Sequence, residues 1–397
     1  MFFMPWRRSL HNIGKILGPF ALLLLLYSIG ASADDPIFSR FVETLTQSPL
    51  LIGILVSIGW ITFTIMAEPI GSVIDRIGER RAVIYGGVLD AIGFIMIYFT
   101  NSIYVLVLAM VIEGLGSTFF WSAARTHIAN ICSGRTGAAF GAYVASWGIG
   151  WSIGPLLGGA LAYFVDIRTP FLFAAAILTI SIVVLMYVIP ADKKKTKVRK
   201  LVVYELKGGF LRDGVHFLRS APKGTKRLLF LQMLMYAALE IVITFAPLYF
   251  MEMNHAEIGA MIFVESIIFA IGSILWGYMA DRFGKPLFVV LGFLFSGGII
   301  LLLLTSFNFI YAFLVMGTFG LALALIEPIT DAMLNDRINH RTRGIANGIS
   351  QAAYGLGASI GPITGGIAAA AFGISGSFVL ATVMCIVGGA IGLSIRK

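Results

Sequence analysis

Gly71-Ser-Val-Ile-Asp75-Arg76-Ile-Gly78-Glu-Arg80-Arg81 returns in a sparser copy as Gly277-Tyr-Met-Ala-Asp281-Arg282-Phe-Gly284-Lys285, and each copy sits between two long apolar stretches. A second tract, Gly150-x3-Gly154-Pro155-x2-Gly158-Gly159, returns as Gly357-x3-Gly361-Pro362-x2-Gly365-Gly366, at the same offset to within one residue. Two unrelated tracts repeated in the same order at one offset mean two related halves of about two hundred residues each. The stretches between them set the solvent. With 58% hydrophobic residues, 12% charged residues and a mean hydropathy of +0.91, the chain lies far from a soluble globular composition.

Runs apolar enough to cross about 30 Å of hydrocarbon, at roughly 20 residues per crossing, fall near 14–40, 50–73, 82–100, 103–124, 137–163, 169–189, 228–251, 256–280, 287–305, 309–333, 344–371 and 375–394. The expected fold class is all-α and integral to the membrane, with twelve transmembrane helices in two six-helix repeats. Residues 1–190 form the first bundle, 191–227 a basic linker and 228–397 the second bundle. A barrel of alternating strands is excluded by the unbroken apolar pattern.

Basic residues concentrate in short cytoplasmic loops. With both termini inside, every one of the 29 Lys and Arg except Arg40 and Arg168 falls on the cytoplasmic side. The formal net charge of +9 therefore reflects topology and contact with anionic headgroups. A nucleic-acid surface would interleave aromatic and basic residues on a soluble fold, and no such stretch is present. The start of the chain also reads like a signal peptide, since Arg7, Arg8 and Lys15 precede an apolar run ending Ala31-Ser-Ala33-Asp34. Cleavage would leave an odd number of spans and remove the counterpart of the helix at 228–251, whose Ala246-Pro247 matches Asp35-Pro36, so the run is read as a membrane helix. The linker opens with Asp192-Lys193-Lys194-Lys195, and Phe210, Leu211, Val215 and Leu218 among its charges predict a short surface helix. Cys132 and Cys385 give no disulfide framework and no metal-ligand spacing.

The repeated tracts resemble those of the major facilitator superfamily, specifically its twelve-helix drug:proton antiporter-type efflux families, over nearly the whole chain. That resemblance implies a substrate site between the halves near the bilayer midplane. It also implies that the first tract joins the second and third helices on the cytoplasmic side and latches the halves together in the outward-facing state. Gly71, Asp75, Arg76, Gly78, Arg80 and Arg81 inherit this latch role, with Gly277, Asp281, Arg282 and Gly284 as the second copy. On physical grounds alone, Asp75 at a helix end can meet a cation or a helix N-terminus of the other half, and Gly71 permits close helix approach. The second tract resembles the fifth-helix motif that separates efflux antiporters from uptake symporters. For Gly150, Gly154, Pro155, Gly158 and Gly159, and for Gly361 and Pro362, tight helix packing and gating are both open readings. One departure stands out. Many antiporters of this family carry an Arg in the fourth helix four residues before a Gly-x-Gly; here Gly114-Leu-Gly116 is preceded by Met110 and by the acid Glu113.

Asp90, Glu113, Glu240, Glu265 and Glu327 lie inside apolar runs and Asp34 and Asp35 near the outer end of the first, with no Lys or Arg at comparable depth. An ionised side chain at the centre of a helix costs about 2.5–3.5 kcal/mol even on the lenient insertion scale. Each acid must then be protonated, wetted by a cavity or paired, and several at once point to proton or cation chemistry. In the family fold the first, fourth, seventh and tenth helices line the cavity, which brings Asp34, Asp35, Glu113, Glu240 and Glu327 to it. Asp90, on a third helix expected to be peripheral, and Glu265, of uncertain facing, carry less weight. Phe119, Phe120 and Trp121 follow Glu113 and Phe245 follows Glu240, and of these Trp121 is the candidate to hold a flat or cationic molecule.

Enzyme motifs are missing: no His-Glu-x-x-His, no phosphate loop ending Lys-Ser/Thr, and five His without ligand spacing. The expectation is a secondary active transporter that expels a small amphipathic or cationic organic compound in exchange for protons by alternating access. It would work in the plasma membrane as a monomer, without cofactor or metal. An uptake carrier or facilitator for a neutral metabolite is the alternative that Met110 favours. A non-transporting sensor or scaffold on the same fold is the distant one.

Overall fold

The computed structural model describes residues 4–131, 136–188, 219, 221–305, 308–337 and 343–395. The linker expected at 191–227 falls outside the described residues apart from 219 and 221–227, and so do Cys132, Arg135, Arg341, Arg396 and Lys397. Among the described residues the regular elements are helices. The first half runs α1 (Met4–Ser32), α2 (Phe38–Leu45), α3 (Pro49–Ile77), α4 (Glu79–Phe99), α5 (Ile103–Ile131), α6 (Thr136–Phe164) and α7 (Thr169–Val188). The second runs α8 (Lys223–Tyr249), α9 (His255–Phe283), α10 (Lys285–Leu303), α11 (Phe309–Leu323), α12 (Glu327–Asp336), α13 (Arg343–Phe372) and α14 (Ile374–Leu393). Ten stretches of the described residues are long and apolar enough to cross a membrane, with α11 and α12 counted as one. Helices α1 and α6 complete the six crossings of the first half. Large apolar side chains such as Tyr104 and Ile274 point outward, as lipid-facing residues do in a membrane protein.

Two runs expected to be continuous are broken. After Ser32 the chain turns through Ala33–Ile37, and the Asp34 carbonyl accepts from Ile37 N at 2.9 Å and Phe38 N at 2.8 Å to start α2. Pro36 lies in this turn and has no N–H to continue a ladder. The run near 309–333 breaks at Ala324–Ile326, where Leu325 N and Ile326 N bond three residues back, to Ala322 and Leu323, at 3.1 and 2.8 Å. Pro328 cannot donate to the Ala324 carbonyl, and the ladder restarts with Thr330 N to Ile326 O at 2.8 Å, two residues on. The restart places Glu327 in the first turn of α12, at the positive end of a half-helix inside the membrane.

Packing repeats with the sequence. Helix α1 lies against α6 and α7 as α8 lies against α13 and α14, while α3·α5 and α4·α7 correspond to α9·α11 and α10·α14. The glycines explain the closeness. A Cβ at Gly150, Gly154 or Gly158 would strike α1 or the turn after it, at Leu25 O, Ile29 O and Ala33 O, and one at Gly361 would come within 2.9 Å of Ala237 Cα on α8. Gly159 instead faces the other half, where a Cβ would lie 2.9 Å from Gly259 Cα of α9, and Pro155 presents its carbonyl to Gly259. The second copy does the same: the Pro362 carbonyl faces Gly53 of α3, and a Cβ at Gly366 would lie 3.0 Å from Leu50 Cα. Each tract thus packs its own half with its first glycines and touches the opposite half with its proline and last glycine.

These contacts between α6 and α9 and between α13 and α3 lie toward the ends remote from the repeated loops. A further clamp sits there. Arg40 of α2, 8% exposed, donates from Nε to Pro247 O at 2.7 Å, from Nη2 to Phe250 O at 2.6 Å and from Nη1 to Met253 O at 2.9 Å, with His255 Nδ1 at 3.3 Å. The last carbonyls of a helix have no intrahelical donor, so one guanidinium of the first half caps the end of α8 in the second. On the loop side, a Cβ at Gly71 or Gly277 would have no neighbour within 4 Å, and Asp75, Arg76, Arg81, Asp281 and Arg282 are exposed. The halves meet on the Arg40 side and stand apart on the loop side.

Candidate functional site

Five segments from both halves bring carboxylates together. Glu113 projects from α5 into room left by Gly59 of α3, where a Cβ would sit 2.8 Å from Oε2, and Ser117, one turn on, donates to Oε1 at 3.1 Å. Asp34 and Asp35 occupy the turn between α1 and α2. Glu240 on α8 lies beside the Trp60 indole of α3, a contact across the halves. Glu265 on α9 is buried and accepts from Ser266 Oγ at 2.9 Å, which settles its facing inward. Glu327 at the start of α12 accepts from Tyr236 OH at 3.1 Å. Asp35 lies within electrostatic reach of Asp34, Glu113, Glu240 and Glu265, and Glu327 within reach of Glu265. Asp34, Asp35, Glu113, Glu240 and Glu327 are partly exposed, and none of the six forms an ion pair with a Lys or Arg among the described residues. Such a group of acids carries its full mutual repulsion unless protons or a cation occupy it.

Two polar networks flank these acids, with partners that no sequence motif marks. In the first half Tyr27 of α1 donates to Asp90 Oδ2 of α4, and its hydroxyl lies 3.4 Å from Ser117 Oγ. In the second, Oδ1 of Asp331 accepts from Gln232 Nε2 at 2.8 Å, Tyr354 OH at 2.6 Å and Ser350 Oγ at 3.3 Å. Each half therefore joins a tyrosine of its first membrane helix, Tyr27 or Tyr236, to a carboxylate of another helix. A single tyrosine or serine in a membrane helix costs little, so its sequence context marks no site. Asp90, set aside as peripheral, is 1% exposed and central to the first network. The signal for it was its cost alone.

The aromatic residues sort by burial. Phe120 and Phe245 are buried, Phe120 stacked flat on Tyr27 and Phe245 in the core, which leaves the ligand-facing reading to Trp121. Trp121 is partly exposed and packs edge-on against Trp147 of α6, with Trp151 at a ring-centroid distance of 6.2 Å. The i,i+4 spacing of Trp147 and Trp151 on α6 was readable, but their meeting with Trp121 depends on how α5 and α6 sit.

The candidate latch residues lie at the loop-side ends of α3 and α9 and, for Arg80 and Arg81, in the first turn of α4. Gly78 and Gly284 have φ of 92° and 107°, a left-handed conformation that only glycine adopts readily, so each ends its helix and turns directly into the next. Arg80 donates to the Met186 carbonyl of α7 at 3.1 Å, and neighbouring Glu79 holds His127 of α5 at 2.5 Å. In the second copy Lys285 bridges Asp281 at 3.3 Å and Asp336 at 2.6 Å. These bonds stay within one half.

The family model of the Major Facilitator Superfamily matches residues 20–249 and 228–397. Multidrug resistance protein 2 of Bacillus subtilis (strain 168) is 24% identical over 342 residues, covering 85% of each chain. The synaptic vesicular amine transporter of Homo sapiens is 26% identical over 330 residues, 79% of this chain but 60% of that one. The solved structure of a bacterial homolog to the human lysosomal transporter Spinster has the same fold, with a TM-score of 0.81, 15% identity and 96% of each chain covered. With two related six-helix halves and the match of the family model to both, this chain is a multi-pass membrane transporter that belongs to the Major Facilitator Superfamily.

Proposed function

We propose that the protein is a proton-coupled exporter of small amphipathic or cationic organic compounds, working by alternating access with its repeated loops and termini on the cytoplasmic side of the plasma membrane. The observation that carries this reading is the meeting of Asp34, Asp35, Glu113, Glu240 and Glu265 from both halves with no Lys or Arg paired to them among the described residues. Such a site excludes anions and attracts protons or an organic cation, and either one relieves the same repulsion. Competition between them is the elementary form of exchange: proton entry lowers the affinity for a cation and releases it. The Trp121, Trp147 and Trp151 cluster supplies faces and edges on which a flat cation can rest. The relatives named for multidrug resistance and for amine transport support the same substrate class.

The test is flux in proteoliposomes. With ethidium as the probe cation, an imposed pH gradient should drive its movement opposite to the protons. Flux indifferent to the gradient, or running in the direction of the protons, would remove the exchange reading.

A further inference from the structure

Glu113 and Asp90 differ in exposure and are joined. Glu113 is partly exposed among the facing acids, while Asp90 is 1% exposed between α1, α4 and α5. An unbroken line of hydroxyls runs between them: Ser117 Oγ lies 3.1 Å from Glu113 Oε1, Tyr27 OH lies 3.4 Å from Ser117 Oγ, and Tyr27 OH meets Asp90 Oδ2. The other Asp90 oxygen, Oδ1, is buried and has no hydrogen-bond partner among the described residues. It lies against Gly116, where any side chain would collide with it, so the glycine makes room for this carboxyl. Glu113 is the charged group that faces Asp90; Tyr27 and Ser117 face it from α1 and α5, and α7, on the other side of α4, contributes Ile182 against Gly87. A buried carboxylate with one orphaned oxygen is a poor resting place for a charge and a good one for a proton.

We propose that Asp90 is a proton-holding site set back from the substrate cavity and served from Glu113 through the hydroxyls of Ser117 and Tyr27. The transfer is a relay in which one proton moves net and nothing is oxidised or reduced. The Glu113 carboxyl gives its proton to Ser117 Oγ, the Ser117 proton passes to Tyr27 Oη, and the Tyr27 proton passes to Asp90 Oδ2. Glu113 is left a carboxylate, Asp90 becomes neutral, and the hydroxyls point the opposite way until the reverse transfer resets them. The value of the arrangement is separation. A proton parked on Asp90 is retained while Glu113 is free to face a cationic substrate, so the two cargoes share one entrance without sharing one acid.

This inference rests on the proton-coupled reading but is tested apart from it. Full-length protein in lipid, followed by infrared difference spectroscopy of the carboxyl C=O region after a pH jump, should show protonation of more than one acid. Asp90→Asn should remove one of those bands. Tyr27→Phe, which keeps the ring stacked on Phe120, and Ser117→Ala, which keeps the Tyr27–Asp90 hydrogen bond, should each slow that same band at least tenfold. In proteoliposomes the ratio of pH-driven to gradient-free ethidium flux should fall at least tenfold in Asp90→Asn and in Tyr27→Phe. If no carboxyl band is lost in Asp90→Asn, Asp90 does not titrate and the proposal is wrong. If the band is lost but its rate is unchanged in both hydroxyl variants, the relay is wrong. Should the Asp90 band behave as expected while wild-type ethidium flux ignores the pH gradient, the exchange reading fails and the proton site stands.

Discussion

Glu113 and Glu240 come from different halves and face the same group of acids, so their substitutions separate two readings of proton coupling. Glu113→Gln keeps shape and hydrogen-bonding capacity but cannot titrate; it should abolish pH-driven flux, and a cationic probe should still bind, more weakly. Loss of one ionic contact to a charged ligand is worth about 1.5–3 kcal/mol, or roughly tenfold to a hundredfold in Kd. If Glu240→Gln abolishes pH-driven flux and Glu113→Gln leaves it intact, the coupling acid belongs to the second half. Both fluxes and a Kd by fluorescence titration decide it. At this scale the acids were legible in the sequence because a carboxylate in an apolar run is costly and so conspicuous. Tyr27, Ser117, Gln232, Ser350 and Tyr354 were not, because each is common in a membrane helix and acquires meaning only through a partner far away in the chain.

The sixth helix shows what an element adds. Gly148 and Gly150 are two residues apart on α6, yet a Cβ at Gly148 would find nothing within 4 Å while one at Gly150 would lie 2.6 Å from Ser28 Cβ and 2.7 Å from Leu25 O. Gly150→Leu should therefore force α1 from α6 and cost roughly 1–3 kcal/mol, the usual range for overpacking, seen as a lower thermal midpoint in detergent. Gly148→Leu should leave the midpoint no lower than wild type, since leucine forms helix better than glycine, and an equal fall in both would mean that the contact at Gly150 does not set the effect. The spacing of the glycine tract announced a packing stripe, but not that Pro155 and Gly159 turn toward the other half. The break at Ala324–Ile326 was concealed by hydropathy, which stays high through Ala-Leu-Ile, whereas that at Ala33–Ile37 falls on the polar pair Asp34-Asp35; Pro36 and Pro328 were the local signals.

Across the whole molecule, Arg40 and the repeated loops lie at opposite ends of the contact between the halves. The structure has the Arg40 end closed, with three carbonyls of the second half held by one guanidinium, and the loop end apart, with Asp75 exposed. A residue shifts an equilibrium only by what it contributes to one state over the other. Arg40→Ala should shift the population at least tenfold toward forms open on its own side, and Arg40→Lys should restore only part of the loss, because an ammonium cannot span the three carbonyls as the planar fork does. Asp75→Asn should move the population the other way and slow turnover, since its charge is expected to serve the state in which the loop side is closed. Labelling of a single cysteine placed in the cavity, in a background with Cys132 and Cys385 replaced by Ser, reads both shifts from the Arg40 side. Unchanged labelling and unchanged transport in Asp75→Asn would refute the latch.

The sequence by itself determined the medium, the number of crossings, the two related halves and the presence of costly acids, because hydropathy, repetition and charge are properties of consecutive residues. Even the left-handed turns at Gly78 and Gly284 were encoded locally, by the residue type that adopts them without strain. Tertiary structure alone decided which acids face one another, which hydroxyls link Glu113 to Asp90, and which end of the molecule is shut. Those outcomes depend on distances between residues tens to hundreds of positions apart. They are set by where glycines let backbones approach, and the identity of the approaching helix is written in no single stretch of the chain.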